Sequence, residues 1–256
     1  MDLLSLLGLA LGLVTVVATQ LAEGGALRAL FQLPAALVVG LGTLGATLLS
    51  ASREDWQAAF AGCRRAFRTT VDPRPLLVVR FRDLAHIARK DGLVSLENSR
   101  RALPTPFMQR AIQHVIDGCE AGQLRDVLEC DARLRLASAQ AGAHVFEVAG
   151  GYAPTMGILG AVLGLVRAME SLSDPEKLGA GIAVAFVATI YGVGLANFVL
   201  LPIASRIRSR AARQEAEDEL VIEGTIALQS GLSPRTLERL LTSHLPSDET
   251  GKKASR

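Results

Sequence analysis

Three hydroxyl side chains, Thr155, Thr189 and Tyr191, are among the few polar groups that interrupt the most apolar part of this chain. They lie in two stretches, residues 148–167 and 180–204, whose interiors contain no Asp, Glu, His, Lys or Arg. An ionisable side chain inside a membrane span is the usual mark of a proton relay or ion site. The chain alone therefore has no group that could carry protons across a bilayer. Either a partner supplies a carboxylate for ion conduction, or the protein is a scaffold.

The two stretches are each about 20 residues long, the length of α-helix needed to cross a membrane. Two further apolar runs, residues 3–19 and 30–50, come first in the chain. We therefore predict an all-α polytopic membrane protein with four transmembrane helices. Asp2 stands where a signal peptide would carry a basic residue, so we expect the first helix to be retained. A soluble bundle of four buried helices is the alternative, which the length and lack of charge disfavour.

Small residues and prolines are the most frequent special feature of these stretches. A row of glycines, Gly157, Gly160 and Gly164, predicts a close packing face between membrane helices rather than a pore lining, and Gly192 belongs to the same set. Thr155 and Thr189 most simply hydrogen-bond to the carbonyl of their own preceding helical turn. Pro154 and Pro202 each free a backbone carbonyl, and we expect them to bend the helix or to act as hinges.

The polar blocks divide the chain into four parts. We predict a transmembrane hairpin over 1–50, a helical cytoplasmic domain over 51–147, a transmembrane pair over 148–204, and cytoplasmic helices with a disordered tail over 205–256. Nearly all Arg and Lys lie in the two polar blocks, and an arginine cluster directly follows residue 204. Positive charge marks the cytoplasmic side, so both termini are predicted to be cytoplasmic.

The sequence carries no pattern typical of an enzyme. We find no phosphate-binding loop, no metal-ligand cluster and no Ser/His/Asp arrangement in a convincing context, and the four histidines are scattered. The three cysteines, Cys63, Cys119 and Cys130, have no C-x-x-C spacing and are expected to be reduced. We predict no enzymatic activity, no cofactor, no bound metal and no nucleic-acid partner.

Several short motifs and their order resemble those of one protein family. These motifs are Ala88-Arg-Lys-Asp-Gly-Leu-Val-Ser-Leu-Glu97, Phe107-Met-Gln, Ala153-Pro-Thr-Met-Gly-Ile-Leu-Gly160, Leu163-Gly-Leu-Val166, Thr189-Ile-Tyr-Gly192, Asn197 with Pro202-Ile-Ala204, Glu223-Gly224 and Pro234-Arg235. Each motif is weak alone, but their number and spacing over most of the chain are specific. The chain resembles the A subunit of flagellar stators, the MotA/PomA type of the MotA/TolQ/ExbB proton-channel group. The N-terminal hairpin favours this branch over TolQ- or ExbB-like subunits of other envelope motors, which remain the alternative.

The resemblance implies a ring of five subunits in the bacterial inner membrane, surrounded by lipid. The ring would enclose two B subunits, each with a single span that carries the ion-binding Asp and with a periplasmic peptidoglycan-binding domain. Pro154 and Pro202 would couple protonation of that Asp to movement of the cytoplasmic part. The ring would then turn stepwise and drive the rotor switch complex, as required for motility and chemotaxis.

The resemblance also points to rotor-facing and ion-path residues. Arg89, Lys90 and Glu97 are the implied rotor contacts, whereas Asn98 and Arg100 stand where sodium-type relatives carry acids. Exposed charge pairs contribute only ~0–1 kcal/mol each, which suits a contact that forms and breaks quickly. The implied ion-path and coupling residues are Pro154, Ala161, Ala188, Thr189, Tyr191 and Pro202. Because sodium-type relatives have Thr at the positions of Ala161 and Ala188, and Na⁺ needs several oxygen ligands, we predict protons as the coupling ion.

Overall fold

The computed structural model describes residues 3–22, 24, 27–67 and 72–245, and most of the tail predicted to be disordered lies outside them. The described residues form helices, turns and short connections without any strand, which confirms the all-α prediction. The α-helices are α1 (Leu3–Ala22), α2 (Leu33–Ser50), α3 (Arg53–Ala66), α4 (Arg74–Asp91), α5 (Glu97–Arg100), α6 (Pro106–Ile116), α7 (Ala121–Met169), α8 (Pro175–Gly194), α9 (Leu201–Gln229) and α10 (Pro234–Thr242).

Three helical segments among the described residues are long and apolar enough to cross a membrane: Leu27–Ser50, Ala121–Met169 and Lys177–Gln229. The α1 helix adds a shorter apolar segment, Ala10–Ala22. Large apolar side chains lie on the surface of these helices, such as Leu41 at 62% exposed and Phe186 at 70%. A surface of this kind is stable against hydrocarbon rather than water. The fold is that of a membrane protein, and the count of four spans stays a prediction.

Two helices are longer than a membrane crossing requires. The α7 helix has 49 residues and continues without a break from the polar insert into the apolar stretch after Val148, as its pattern indicated. The α9 helix unites the arginine cluster after residue 204 with the apolar Leu220–Gln229 stretch. A π-helical segment, Leu195–Leu200, joins α8 directly to α9. The chain is therefore helical throughout residues 175–229.

The chain divides into two compact units, and the first comprises residues 1–69 and 138–210. In it, Ala35 and Val39 of α2 pack against Val187 and Ala188 of α8. The α3 helix follows α2 after a two-residue connection and begins with a capping box at Ser52. Hydrogen bonds from Ser52 stabilise the ionised carboxylate of the Asp55 partner and lower its pKa.

The second unit comprises residues 70–137 and 211–256. Its core contains the largest fully buried side chains of α4, α6 and α7, together with apolar residues of α9 and α10. Phe81 of α4 packs so closely on α9 that a Cβ atom on Gly224 would lie 2.8 Å from its ring. Gly92 ends α4 with a φ of +82°, a conformation that glycine adopts without steric strain. The domain boundaries predicted from composition, at residues 50, 147 and 204, stay predictions.

Candidate ion-path and rotor-facing sites

Gly157 of α7 and Gly192 of α8 face each other where the two helices approach closely. A Cβ atom on Gly192 would lie 2.6 Å from the carbonyl oxygen of Ala153, and one on Gly157 would lie 2.9 Å from that of Ala188. Both obstacles are backbone atoms, which cannot move aside by changing a rotamer. Glycine at these two positions is therefore what allows the helices to meet.

The same contact continues along both helices. A Cβ atom on Gly164 would lie 2.8 Å from the backbone nitrogen of Ala185, and one on Gly160 would lie 2.8 Å from the Cβ of Ala188. We call the set Gly157, Gly160, Gly164 and Gly192 the α7–α8 glycine contact. All four glycines that the sequence marked as packing residues lie in it. Close backbone approach of this kind is typical of helix pairs in membranes.

The two alanines of the implied ion path have different surroundings. Ala188 is completely buried, and it belongs to the apolar cluster that α8 forms with α2. Ala161 is half-buried and follows Gly160 in α7. A larger side chain at position 188 would therefore have to displace Gly160 or the facing residues of α2, whereas position 161 has some free surface.

The threonine hydroxyls in these helices are satisfied by their own backbone. The Thr189 hydroxyl donates to the carbonyl of Ala185 at 3.3 Å, and the Thr155 hydroxyl donates to the carbonyl of Tyr152 at 2.7 Å. Both side chains are exposed. Each hydroxyl oxygen still has lone pairs that could accept a hydrogen bond from water. The first of these bonds has the spacing predicted from the sequence, and the second reaches back three residues instead of four.

Tyr191 joins α8 to the start of α2. Its hydroxyl donates to the carbonyl of Leu30 and accepts from the backbone N–H of Gln32, at 3.3 Å for the latter. Leu30 ends a 3₁₀ turn, and Gln32 precedes the first residue of α2. Near the opposite end of α2, the Ser50 hydroxyl lies 2.9 Å from the hydroxyl of Tyr152 in α7. Two tyrosines thus hold the two ends of α2 against the pair α7 and α8.

The π-helical segment lies directly before Pro202. The Leu201 N–H donates to the carbonyl of Ala196 five residues earlier, and the Asn197 amide donates to the carbonyl of Val193 at 2.9 Å. Proline has no N–H, so Pro202 cannot bond the carbonyl four residues before it. A π turn accommodates this missing bond, and such turns are frequent at functional positions.

A contact between neighbouring residues brings the two prolines of the implied coupling path, Pro154 and Pro202, close together. Pro154 lies inside α7, where its missing N–H leaves the carbonyl of Gly150 without its helical partner. Gly150 in turn packs on Leu201, since a Cβ atom at Gly150 would lie 2.7 Å from Leu201 Cδ2. Leu201 immediately precedes Pro202. The structure therefore brings the two interrupted helical turns together in the first unit.

The implied rotor contacts lie around the end of α4 in the second unit. Arg89 and Lys90 are exposed in its last helical turn, and Glu97 is exposed at the start of α5. Arg100 forms an ion pair with Glu97 at 3.2 Å. Arg100, which stands where sodium-type relatives carry an acid, therefore partly neutralises Glu97, the acid that the family resemblance places in the rotor contact.

Buried charge in the second unit is a feature that the sequence did not indicate. Asp218 of α9 is 3% exposed and pairs with Arg135 of α7 at 3.1 Å. The guanidinium of Arg135 also lies 4.8 Å from the centre of the Phe107 ring. Burial raises the pKa of Asp218, although Arg135 and a hydrogen bond from Gln214 oppose this effect. The nearest signal in the sequence is a carboxylate two residues before the apolar stretch of α9, a pattern that is too common to identify the pair.

Two further ion pairs connect α7 with α9. Arg125 binds Glu223 at 2.9 Å in the second unit, which raises the pKa of the guanidinium, and Arg208 binds Glu147 at 2.5 Å in the first unit. Among the described residues, no group of three or more His, Cys, Asp and Glu side chains could hold a metal ion.

The chain is similar over nearly its whole length to proteins of flagellar motors. Residues 99–219 match the MotA/TolQ/ExbB proton channel family. The chain is 31% identical to the chemotaxis protein PomA of Vibrio alginolyticus over 245 residues, which are 96% of each chain. The structure of C. jejuni MotAB gives a TM-score of 0.90 at 27% identity over 97% of both chains. The flagellar MotAB stator complex from Bacillus subtilis gives 0.89 at 29% identity over 98% of both chains. This chain therefore belongs to the MotA/TolQ/ExbB proton channel family, in its flagellar MotA/PomA branch.

Proposed function

We propose that this protein is the A subunit of a flagellar stator, which couples ion flow to torque on the rotor. The observation that supports the proposal is that the apolar helices pack closely but contain no ionisable side chain in their apolar stretches. Glycines pack α7 tightly against α8, yet the apolar stretches of α2, α7 and α8 contain no Asp, Glu, His, Lys or Arg. Membrane helices of this composition need a partner that supplies the ion-binding carboxylate.

The proposed partner is a single-span B subunit with a membrane Asp and a peptidoglycan-binding domain. The solved MotAB structures that share this fold support such a pairing. The proposed assembly is a ring of five A subunits around two B subunits in the bacterial inner membrane. Both termini lie in the cytoplasm in this proposal, because the arginine-rich residues that follow the last apolar stretch mark that side.

The proposed coupling ion is the proton. The side chains of Ala161 and Ala188 offer no oxygen ligand, and the hydroxyl of Thr189 donates to its own helix. A dehydrated Na⁺ would need several oxygen atoms at this place, whereas a proton needs the carboxylate of the partner and water. Movement would pass through the neighbouring turns at Pro154 and Pro202, where the helical hydrogen bonds are already interrupted.

The proposed rotor contact is the exposed end of α4 with the start of α5. Arg89 and Lys90 present positive charge to a rotor switch protein, and Glu97 presents negative charge that Arg100 partly neutralises. Weak exposed charge pairs of this kind can form and break at each step of the ring.

The experiment that tests the proposal is rescue of motility in a strain that lacks stators. The chain is co-expressed with candidate B subunits, and swimming speed is measured in media with and without sodium. We expect swimming with one B subunit in both media, and no swimming when the membrane Asp of that subunit is replaced by Asn. Copurification of the two subunits provides an independent readout of assembly. Swimming that stops without sodium would contradict the proton assignment, and swimming without any B subunit would contradict the proposal itself.

A further inference from the structure

The part of α7 in the second unit has an exposed apolar stripe that no contact within the chain explains. Val127 is 44% exposed and Leu134 is 67% exposed. The stripe repeats at intervals of three and four residues, which is the spacing that a helix presents to another helix. This part of α7 belongs to the polar block predicted to be cytoplasmic, so lipid does not cover it. We call the stripe the α7 outer face, and its exposed members are Val127, Cys130, Leu134 and Ala137.

The part of α9 in the same unit has an exposed face of small side chains beside carboxylates. Ala212 is exposed and Ala216 is half-buried, and both follow the same spacing of three and four residues as Glu219. Glu215 and Glu219 are exposed along the edge of this face. Small side chains allow another helix to approach closely. We call Ala212, Glu215, Ala216 and Glu219 the α9 outer face.

The two outer faces point away from each other. The ion pair between Arg135 and Asp218 marks the side on which α7 and α9 meet within one chain. Successive residues of an α-helix are rotated by about 100°, so Arg133 and Ala137 point about 200° away from Arg135. Ala216 has the same relation to Asp218. The two faces therefore cannot contact each other within one chain.

Two different faces on opposite sides of one helix pair suit a head-to-tail contact between identical copies. In such a contact the α7 outer face of one copy lies on the α9 outer face of the next. Head-to-tail contacts close into a ring when the rotation between neighbours permits it.

The charges at the edges of the two faces are complementary and lie at the same level along the helices. Arg133 comes two residues before Arg135, and Glu219 comes directly after Asp218, so both lie near the level of that ion pair. Copies related by rotation about an axis along the helices keep this level. Arg133 donates to the backbone carbonyl of Glu129 at 3.3 Å, and within the part of the chain that the structure describes neither Arg133 nor Glu219 has an ion-pair partner.

We propose that the α7 outer face of one copy binds the α9 outer face of the next copy, with Arg133 paired to Glu219 across each contact. Leu134 and the neighbouring apolar side chains are then covered by the alanines of α9. The occupant of both faces is a second copy of this chain. This assignment rests on the ring that the proposed function includes, and it specifies the surfaces that join the cytoplasmic parts of that ring.

The test is an exchange of charge between two copies that carry different affinity tags and are co-expressed with the B subunit. When all copies carry Arg133→Glu, or all carry Glu219→Arg, every contact between copies places like charges together. When the two variants are mixed, each contact between unlike copies has opposite charges again. Mixing cannot restore an ion pair that forms within one chain, so it separates the two cases. Arg80→Glu is the matched control, because Arg80 is exposed on α4 and lies outside both faces.

The readout is the amount of one tagged copy that is recovered with the other after purification in detergent. We expect Arg133→Glu alone and Glu219→Arg alone to lower this recovery about fivefold, the effect of reversing an exposed charge pair. The loss should be larger at low salt, where charges are screened less. The mixture should regain most of the recovery, and Arg80→Glu should match the unaltered chain. Unchanged recovery in both single variants, or a loss that mixing does not restore, would overturn the proposal.

The apolar part of the contact is tested by Leu134→Gln. Leu134 is largely exposed within one chain, so this change leaves the fold of the chain intact while it weakens the contact between copies. Leu76→Gln on α4 is the matched control, since Leu76 is 47% exposed and lies outside both faces. We expect lower recovery for Leu134→Gln only. Equal recovery of the two variants would argue against the α7 outer face as a contact.

The native Cys130 distinguishes a head-to-tail contact from a two-fold contact. It is a free thiol in the α7 outer face, and α9 contains no cysteine. A head-to-tail contact therefore gives no disulfide through Cys130 when the complex is oxidised. Two α7 outer faces packed on each other would bring two Cys130 thiols together. A dimer that forms on oxidation and disappears in Cys130→Ser would overturn the proposal.

Recovery of tagged copies is measured without motility, so the contact and the stator function can fail separately. Copies that respond to the charge exchange as expected but restore no swimming with any B subunit would contradict the stator function and support the contact. Swimming restored by the unaltered chain, with recovery that neither charge reversal changes, would overturn the contact and leave the stator function intact.

Discussion

Replacing Gly157 by alanine tests whether the α7–α8 glycine contact holds the membrane helices together. The added Cβ atom would lie 2.9 Å from the carbonyl oxygen of Ala188, whereas an unstrained contact is about 3.5 Å or more. The helices must therefore separate locally by about 0.6 Å, because neither backbone can rotate out of the way. Overpacking of this kind typically costs about 1–3 kcal/mol.

Alanine is also a better helix former than glycine, and this difference raises the stability of the variant while the steric contact lowers it. The exchange of Gly for Ala inside a helix contributes about 1 kcal/mol of stability, so the net change at Gly157 alone would be ambiguous. Gly151 offers the matched control, since it lies in the same helix and an added Cβ atom there meets nothing within 4 Å. Both variants share the helix-propensity gain. The difference between them isolates the steric cost.

The assay is thermal or denaturant unfolding of the purified complex, with swimming in soft agar as the functional readout. We expect Gly157→Ala to be about 1–3 kcal/mol less stable than Gly151→Ala and to swim more slowly. Gly157→Ala with the stability of Gly151→Ala would refute the reasoning, since the helices would then have room for a side chain that the geometry excludes.

Three other changes probe separate parts of the structure. Tyr191→Phe should lower the free energy of unfolding by about 1–3 kcal/mol, because its hydroxyl makes two hydrogen bonds at the start of α2. Tyr152→Phe, which loses a contact to the exposed Ser50, should cost less in the same melting assay, and equal losses would argue against the role assigned to Tyr191. Ala188→Thr adds two heavy atoms at a fully buried site and should cost about 1–3 kcal/mol without making swimming depend on sodium; a stable, sodium-dependent variant would contradict both statements. Because burial raises the pKa of Asp218, its folded form holds the proton more strongly, so this contribution to stability is complete below the unfolded pKa of about 4 and is lost as pH rises through the folded pKa. Asp218→Asn should remove the part of the stability difference between about pH 3.5 and about pH 8 that Asp218 contributes, as measured by denaturant unfolding, and an unchanged difference would assign it to other carboxylates.

The helices and several of their ends could be predicted from local sequence. Asp91-Gly92 ends α4 because glycine takes the positive φ that follows the last helical turn. Pro106 occupies the first turn of α6, where a missing N–H costs nothing, and the hydroxyl of Thr105 caps the helix. The glycine row in the apolar stretch predicted a packing face, since small residues at helical spacing have little other use in a membrane.

Contacts between distant parts of the chain could not be predicted in the same way. The Tyr191 hydroxyl binds Leu30, 161 residues away, and Arg135 binds Asp218, 83 residues away. Periodicity shows which face of a helix is apolar, but not which helix that face meets. Family resemblance pointed to Tyr191 as an ion-path residue, and that role stays a prediction beside the hydrogen bonds that the structure gives it.

The π turn before Pro202 was missed for a related reason. A proline in a helical pattern predicts an interruption of the helical hydrogen bonds. The sequence alone does not say whether the helix bends at that point or forms a wider π turn. The side chain of Asn197 and the ring of Phe198 against Gly12 of α1 accompany the wider turn here. These are tertiary details that no spacing rule contains.

The π turn at Leu195–Leu200 carries one residue more than an ordinary helical turn does, and this surplus has a mechanical meaning. If the extra residue were passed along the helix, each turn it crossed would rotate by about 100° and shift by about 1.5 Å without breaking the rod. A helix whose extra residue can move in this way has several distinct rotational positions, whereas a regular helix has no extra residue to move.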